Sequence, residues 1–374
     1  MYKLLIFICG IITILWLRMK LTTSFWNRQP VFHIHDIQYW IYPNGVIKEY
    51  LGDKNTDVDL EHVETLDILK CSDTILRDVA LFIGTHFIES DEIKYSPHIT
   101  DISNILHEEH PNMSYVSVYR NESGICSTIT STRYELLIDG LTKPIHYVDN
   151  LCVRNDMRNQ SIAPKSISSL IHNVCIHPDA PNIFLFKREE VLTSIVPITV
   201  FNIYSFMIED IKCITLSRCT YELIHIDNVT SVVSFFDRYI NPSMDVVALP
   251  PQNKLSWLIK NNIYMLYRFN DVCCKMNGIS IFKKTSLEYN GKSTIECVFT
   301  FNDKMQRNDF IGVFFDVISE LKPTYDYITI DAIGDNVDII DEFDRYSNDK
   351  CISGYFLYNY ASYTKSPRKC AIIC

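Results

Sequence analysis

The sequence lacks an excess of basic residues, paired cysteines and zinc-ligand spacing. Its 374 residues carry a formal net charge of −10, whereas proteins that bind nucleic acid usually show a basic patch or a basic excess. The 13 cysteines are odd in number, and no C-x-x-C pair occurs among them. Reduced thiols in the cytoplasm fit this pattern better than a disulfide framework. We therefore expect no nucleic-acid partner and no metal site.

Several familiar catalytic motifs are also missing, since G-x-S-x-G, H-E-x-x-H and G-x-G-x-x-G do not occur. Residues 291–294 read G-K-S-T, but the first glycine of a phosphate-binding loop would fall at Ser286. The dipeptide Asn290-Gly291 instead predicts a hairpin turn. His107 and His110 have helical spacing without further ligands nearby, which indicates a solvated helix end.

What is present first is an apolar N-terminus. With 47% hydrophobic and 21% charged residues, the chain can bury one large core or two joined ones. Residues 4–17 form an uncharged apolar run that is short for a membrane span. Arg18 and Lys20 follow it, which would keep the downstream side in the cytosol. We expect residues 1–21 to contact a membrane as an anchor; the alternative is a buried first strand or helix. The expected location is the cytoplasm or the cytosolic face of a membrane.

The chain is organised around residues 148–174, VDNLCVRNDMRNQSIAPKSISSLIHNV. A short apolar run that indicates a strand end is followed by a polar loop and then by apolar residues at helical spacing, with Pro164 suited to a first helical turn. The free N–H groups of a helix N-terminus favour a negative charge in the preceding loop. The pattern therefore indicates an anion site, and an ordinary strand–loop–helix connection is the alternative.

Short motifs in the same order along the chain give a family resemblance. Residues 25–31 read FWNRQPV, residues 151–153 read LCV, residues 158–163 have the form R-x-x-S-x-A, and residues 355–359 read YFLYN. They resemble the patterns F-W-x-T-Q-P-V, E-I-N-F-L-C-V-H-K, R-S-K-R-V-A-P and Y-Y-L-Y-N of the glycylpeptide N-tetradecanoyltransferase (N-myristoyltransferase) family. The resemblance covers nearly all of the chain beyond Ser24.

The resemblance implies an α+β fold, with two tandem acetyltransferase-like (GNAT-type) halves that form one saddle-shaped mixed sheet with flanking helices. Residues 22–207 would be the acyl-CoA-binding half and residues 208–374 the peptide-binding half. Residue patterns also predict a helix capped by Ser72 or Asp73, strands over residues 115–118 and 124–131, and strands near residues 195–203 and 211–216. In the second half they predict strands over residues 297–301 and 326–330 and a helix over residues 309–321.

The resemblance also implies site residues for acyl-CoA and for the chemistry. Phe25 and Trp26 would lie on an arm that crosses the bound CoA, extended because Gln29 precedes a proline. The phosphate loop and helix start would contribute Arg158, Gln160, Ser161, Ile162, Ala163 and Pro164. The backbone N–H groups of Asn150 and Leu151 would form the oxyanion hole, and the terminal carboxylate of Cys374 would act as the base.

Peptide binding is assigned by the same resemblance. Residues 87–97 resemble the family's acidic loop at the mouth of the peptide site, with Glu89, Asp91 and Tyr95 at matching positions, although a solvated acidic loop is an equal alternative. In YFLYN the matching residues are Tyr355, Leu357 and Asn359. Two departures stand out: two of the three cations of R-S-K-R are replaced, and K-F-G-x-G-D-G is replaced by residues 345–351, RYSNDKC.

The implied function is transfer of a myristoyl group from myristoyl-CoA, a co-substrate, to the N-terminal glycine of a peptide or protein, with no permanently bound cofactor. One alternative is a catalytically degraded homologue that binds acyl-CoA or acylated peptide without turnover. Another is an N-acyltransferase that uses a different acyl chain or amine.

Overall fold

The computed structural model describes residues 2–21, 25–42, 45–88, 90, 92–189, 194–212, 217–271, 273 and 275–374. Up to residue 207 its helices are α1 Tyr2–Leu21, α2 Ile37–Ile41, α3 Asp73–His86, α4 Ile99–Leu106 and α5 Ile162–Cys175. The strands of this part are β1 Gly45–Val46, β2 Val63–Asp67, β3 Ile93–Tyr95, β4 Ser114–Asn121, β5 Gly124–Ile138, β6 Leu141–Val153, β7 Phe184–Glu189 and β8 Thr199–Met207.

Beyond residue 207 the helices are α6 Val229–Phe235, α7 Gln252–Lys260, α8 Arg307–Leu321 and α9 Asn336–Phe343. The strands are β9 Thr220–Leu223, β10 Val246–Leu249, β11 Tyr264–Asn270, β12 Met276–Tyr289, β13 Lys292–Asn302, β14 Tyr327–Asp331, β15 Ser347–Tyr358, β16 Tyr360–Ala361 and β17 Cys370–Ile372.

Fifteen of these strands share one mixed sheet. Its main path runs β17-β10-β5-β6-β7-β15-β8-β14-β13-β12-β11-β9, with β2, β4 and β3 added at its branches. Most neighbours are antiparallel, but β6–β7, β13–β14 and β10–β17 are parallel pairs. Helices cover the sheet, so the predicted α+β class with a mixed sheet and flanking helices is confirmed.

Strands from the two ends of the chain are interleaved. Strand β15 lies between β7 and β8, and β10 and β17 extend the sheet beyond β5. The division into two halves at residue 207 stays a prediction. Strands from before and after this residue alternate within the same sheet.

Local predictions are mostly confirmed. Ser72 caps α3 by accepting from the backbone N–H of Ile75, and Asn290-Gly291 forms the two-residue turn between β12 and β13, with positive φ at both residues. Helix α8 begins at Arg307, two residues before the predicted start, and it buries the predicted apolar face. Most of the strand predicted over 211–216 lies outside the described residues.

The N-terminal segment forms helix α1, and side chains such as Ile6, Phe7 and Ile12 are exposed on it. No described helix has both the length and the apolar character needed to cross a membrane. The anchor therefore stays a prediction.

Candidate active site

The site begins where two parallel strands part. Strands β6 and β7 pair only from His146/Phe184 to Val148/Phe186, although β6 continues to Val153 and β7 to Glu189. A cavity of about 650 Å³ opens beside the unpaired ends and extends to residues of β12, β13 and β15. A second cavity of about 870 Å³ lies on the loop that follows β6. Phe87, Leu151, Arg188 and Glu189 line both cavities, which therefore adjoin.

Strand β6 carries a bulge at the opening. Cys152 pairs with Thr128 and Asp149 pairs with Thr130, so Asn150 and Leu151 face one residue of β5 instead of two. Asn150 has φ of 54°, a conformation that asparagine tolerates better than most residues. A bulge takes a residue out of the regular ladder of hydrogen bonds. The two residues predicted for the oxyanion hole therefore lie at an irregular point of the strand, on the cavity wall.

The N–H group of Asn150 already has an acceptor. Its backbone nitrogen lies 2.7 Å from Oδ1 of Asp149, and its side-chain amide donates to Oγ1 of Thr130 at 3.1 Å. Any oxyanion that takes this N–H group must displace the Asp149 carboxylate.

The predicted anion site forms a loop and a helix start. Asn159 and Ser161 both have left-handed φ, 63° and 61°, and α5 begins at the next residue, Ile162, so Pro164 lies in its first turn as predicted. All residues of the predicted loop except Gln160 line the second cavity: Arg158, Ser161, Ile162, Ala163 and Pro164. The first N–H groups of α5 thus open toward a cavity.

Arg158 is held by backbone carbonyl groups. Its Nη2 donates to the carbonyl oxygen of His86 at 2.7 Å and its Nε donates to that of Val153 at 3.4 Å. Burial and the nearby guanidinium of Arg154 lower the pKa of His86, which lines the same cavity. The loop therefore keeps a cationic environment although two of the family's cations are replaced.

The N-terminal aromatic residues lie at the cavity as one stacked unit. Trp26 stacks on Phe186 of β7, with ring centroids 5.5 Å apart and planes 8° apart, and it lines the first cavity. Phe25 packs edge-on against Trp26 but does not line the cavity. The prediction of an extended arm was wrong for Phe25–Arg28, which form a 3-10 turn that ends before Gln29.

The residues predicted to bind peptide divide into three groups. Tyr95 and Tyr355 line the first cavity. Leu357 is buried in the hydrophobic core, and Asn359 bonds to the backbone of Lys48 and Asn182. Neither lines either of these two cavities, and their contact with substrate stays a prediction. Glu89 and Asp91 lie outside the described residues.

Cys374 lines the first cavity, on the side that we call its floor. Strand β17 pairs with β10, the N–H group of Ile373 donates to the carbonyl oxygen of Ala248 at 2.9 Å, and Cys374 is 5% exposed. Nζ of Lys283 donates to the main-chain oxygen of Cys374 at 2.8 Å. Burial raises the pKa of the Cys374 thiol, so the thiol is protonated and unreactive.

A charged cluster that the motifs did not indicate lies on the same floor. Nζ of Lys187 is 3.3 Å from Oε1 of Glu296, 3.4 Å from Oδ2 of Asp331 and 3.6 Å from Oε1 of Glu189. Lys187, Glu189 and Glu296 line the first cavity. The signal in the sequence was the charged run KREE at residues 187–190, which directly follows the apolar first half of β7.

The fold of this chain, an interleaved mixed sheet with a parallel pair that parts over a cavity, is similar to that of N-myristoyltransferase. A crystal structure of Saccharomyces cerevisiae N-myristoyltransferase with bound myristoyl-CoA is similar with a TM-score of 0.75 at 13% identity, over 95% of this chain and 99% of that chain. A structure of the same yeast protein with bound myristoyl-CoA and inhibitors gives 0.73 at 14% identity, over 95% and 93% of the two chains. At this identity the likeness concerns the fold. No protein-family model and no curated protein sequence matches the chain.

Proposed function

We propose that the protein is an acyl-CoA-dependent N-acyltransferase that moves a myristoyl group from myristoyl-CoA to the N-terminal glycine of a peptide or protein. The observation that carries this proposal is the pair of adjoining cavities. The second cavity lies at the N-terminus of α5, which favours phosphate, and the first cavity has apolar walls that lead to charged residues at its floor. A volume of about 650 Å³ is in the usual range for ligand sites.

The CoA end would occupy the second cavity. Backbone N–H groups at the start of α5 and the Arg158 guanidinium would bind the pyrophosphate, because a helix N-terminus and arginine both favour phosphate oxygens. Gln160 would lie at the rim.

The acyl chain would enter the apolar part of the first cavity. This part lies between α5 and the sheet and is lined by Trp26, Ile129, Ile167, Leu170, Ile171, Phe184 and Phe186. Burial of methylene groups there would stabilise a long chain by about 0.8 kcal/mol for each group. A long acyl group therefore fits this wall better than an acetyl group.

The thioester and the amine would meet at the bulge of β6, where the two cavities adjoin. The amine attacks the thioester carbonyl, the N–H groups of Asn150 and Leu151 stabilise the oxyanion, and CoA leaves as the thiol. The terminal carboxylate of Cys374 takes the proton of the glycine ammonium. Lys283 holds the main-chain oxygen of Cys374, and Tyr95 and Tyr355 would contact the peptide.

A second candidate is a protein that binds acyl-CoA without turnover. The observation that favours it is the 2.7 Å contact between the Asp149 carboxylate and the N–H group of Asn150, since a negative charge there opposes an oxyanion. A further departure is the replacement of the family's glycine-rich signature by residues 345–351.

Mass spectrometry separates the candidates. The purified protein is incubated with myristoyl-CoA and a glycine-initiated peptide, with an alanine-initiated peptide and acetyl-CoA as matched controls. Peptide that gains a myristoyl group only when it begins with glycine supports the proposal. Binding of myristoyl-CoA without any acylated peptide supports the second candidate, and absence of both refutes the acyl-CoA assignment.

Residues 4–17 would bring the enzyme to the cytosolic face of a membrane.

A further inference from the structure

Three carboxylates surround one lysine beside the cavity. Lys187 reaches from β7 to Glu296 on β13 and Asp331 on β14, within 3.3 Å and 3.4 Å. The Asp331 side chain is 2% exposed, and its Oδ1 has no hydrogen-bond partner among the described residues. Glu296 and the buried Asp331 share the Lys187 ammonium group, so their carboxylates oppose each other's ionisation.

The surroundings indicate which group keeps the proton. Burial opposes the charged form of Lys187, but Asp331 and Glu296 raise the pKa of Lys187, so Lys187 is charged. Burial also opposes ionisation of Glu296, but Lys187 and Lys283 hold its pKa below its usual value. Burial raises the pKa of Asp331 to about 7 despite Lys187, with Glu296 adding to the rise. The ionisable groups that face Asp331 are Lys187, Glu189, Glu296, Cys297 and Tyr355.

The cluster is continuous with the reaction site. Glu296 lines the cavity and lies opposite Lys283 in the β12–β13 register. Lys283 in turn donates to Cys374. Glu296 and Lys187 therefore both face the cavity, and the buried Asp331 lies within 3.4 Å of Lys187.

We propose that the Lys187–Glu296–Asp331 cluster binds the ammonium group of the acyl acceptor and takes up its proton. The proposal rests on the proposed acyl transfer and deepens it by adding a proton path to the base at Cys374. An ammonium group bound at Glu296 favours the ionised form of Asp331 and expels its proton. The cluster is then ready to accept a proton when the amine attacks.

The proton transfers balance. The terminal carboxylate of Cys374 takes the proton of the acceptor R-NH3+ and returns it to Lys283, which gives a proton to Glu296. Lys187 then passes a proton to the Asp331 carboxylate and regains one from Glu296. The net result is a neutral amine and a protonated Asp331, which restores the cluster to its state before the ammonium group bound and expelled one proton to water.

Infrared difference spectroscopy tests the site without any turnover. At neutral pH the wild type should show the C=O stretch of a protonated carboxyl group, which Asp331→Asn removes. A glycine-initiated peptide should weaken this band, whereas the same peptide with an acetylated N-terminus, which has no ammonium group, should leave it unchanged. Glu296→Gln, which keeps Asp331, should reduce the response to the free amine.

A matched control is a second buried lysine–carboxylate pair, Lys254 and Glu108, which are 3.0 Å apart and line neither cavity. Glu108→Gln should lower the melting temperature and leave the infrared response intact. In the transfer assay Asp331→Asn should lower kcat by roughly 10²-fold, the lower range for a general base, and remove the inflection of kcat/KM near neutral pH, with acyl-CoA affinity unchanged.

The outcomes are separable from those of the proposed function. A band that is absent from the wild type, or that ignores the free amine, overturns this inference even if acyl transfer occurs. A band that responds to the free amine in a protein without transfer supports the ammonium site and refutes only the proposed reaction. An unaltered pH profile in folded Asp331→Asn excludes the proton uptake.

Discussion

Replacing Arg158 by alanine is expected to weaken CoA binding at least tenfold. Arg158 is the one cation retained in the phosphate loop, and it lines the second cavity beside the start of α5. A charge-assisted hydrogen bond contributes about 1.5–3 kcal/mol, and each 1.4 kcal/mol is a factor of ten in Kd. Loss of one such bond to the pyrophosphate therefore predicts a change of about 10- to 100-fold.

The same loop offers a matched control. Arg154 bonds to Asp156 at 2.7 Å and to Ser123 at 3.0 Å, and it does not line either cavity. Arg154→Ala should change CoA affinity much less than Arg158→Ala does. Arg158→Lys should be intermediate, because lysine keeps the charge but not the planar fork of donors.

Calorimetric titration with CoA at two salt concentrations gives the required constants. Arg158 also holds the carbonyl groups of His86 and Val153, so thermal unfolding of each variant must show that the loop and α5 remain folded. A dissociation constant equal to that of the wild type, in a folded Arg158→Ala protein, would refute the phosphate assignment.

Three further predictions concern the ends of the chain and its pH dependence. A protein beginning at Thr22 should unfold at the same temperature as the full chain, because the described side chains of α1 are largely exposed; a lower melting temperature would place the segment in the core. Deleting Ile373 and Cys374, or adding a glycine after Cys374, should lower turnover by roughly 10²-fold with acyl-CoA binding nearly intact, whereas Cys374→Leu should remain active; a fully active truncated protein would contradict the carboxylate base. Burial lowers the pKa of His146 to about 3, so between about pH 6.5 and pH 3 the unfolded state binds a proton that the folded state does not. The free energy of unfolding should therefore fall as the pH is lowered through this range, by up to about 1.4 kcal/mol per pH unit. Urea unfolding of the wild type and of His146→Gln across this range should show that the variant lacks this slope.

The elements that the sequence predicted well are those determined by neighbouring residues. The cap at Ser72, the Asn290-Gly291 turn and the start of α5 depend on side chains and backbone within a few positions. The predicted start of α8 was two residues too late because Asn308 resembled an N-cap, whereas the N-cap in the structure is Gln306. Leu357 was assigned to substrate from its place in a motif, and the structure buries it in the core on the same face of β15 as the cavity-lining Tyr355.

By itself the sequence determined the α+β class, the loop and helix start of the predicted phosphate site and the order of the motifs, since local periodicity and turn chemistry act over short distances. Only the tertiary structure decided where the charges meet. Glu296 and Asp331 are separated from Lys187 by 109 and 144 positions in the chain. Their side chains meet although β15 and β8 lie between β7 and β14 in the sheet. Strand order is a property of the whole sheet, and no local pattern in the chain specifies which side chains it will place around one cavity.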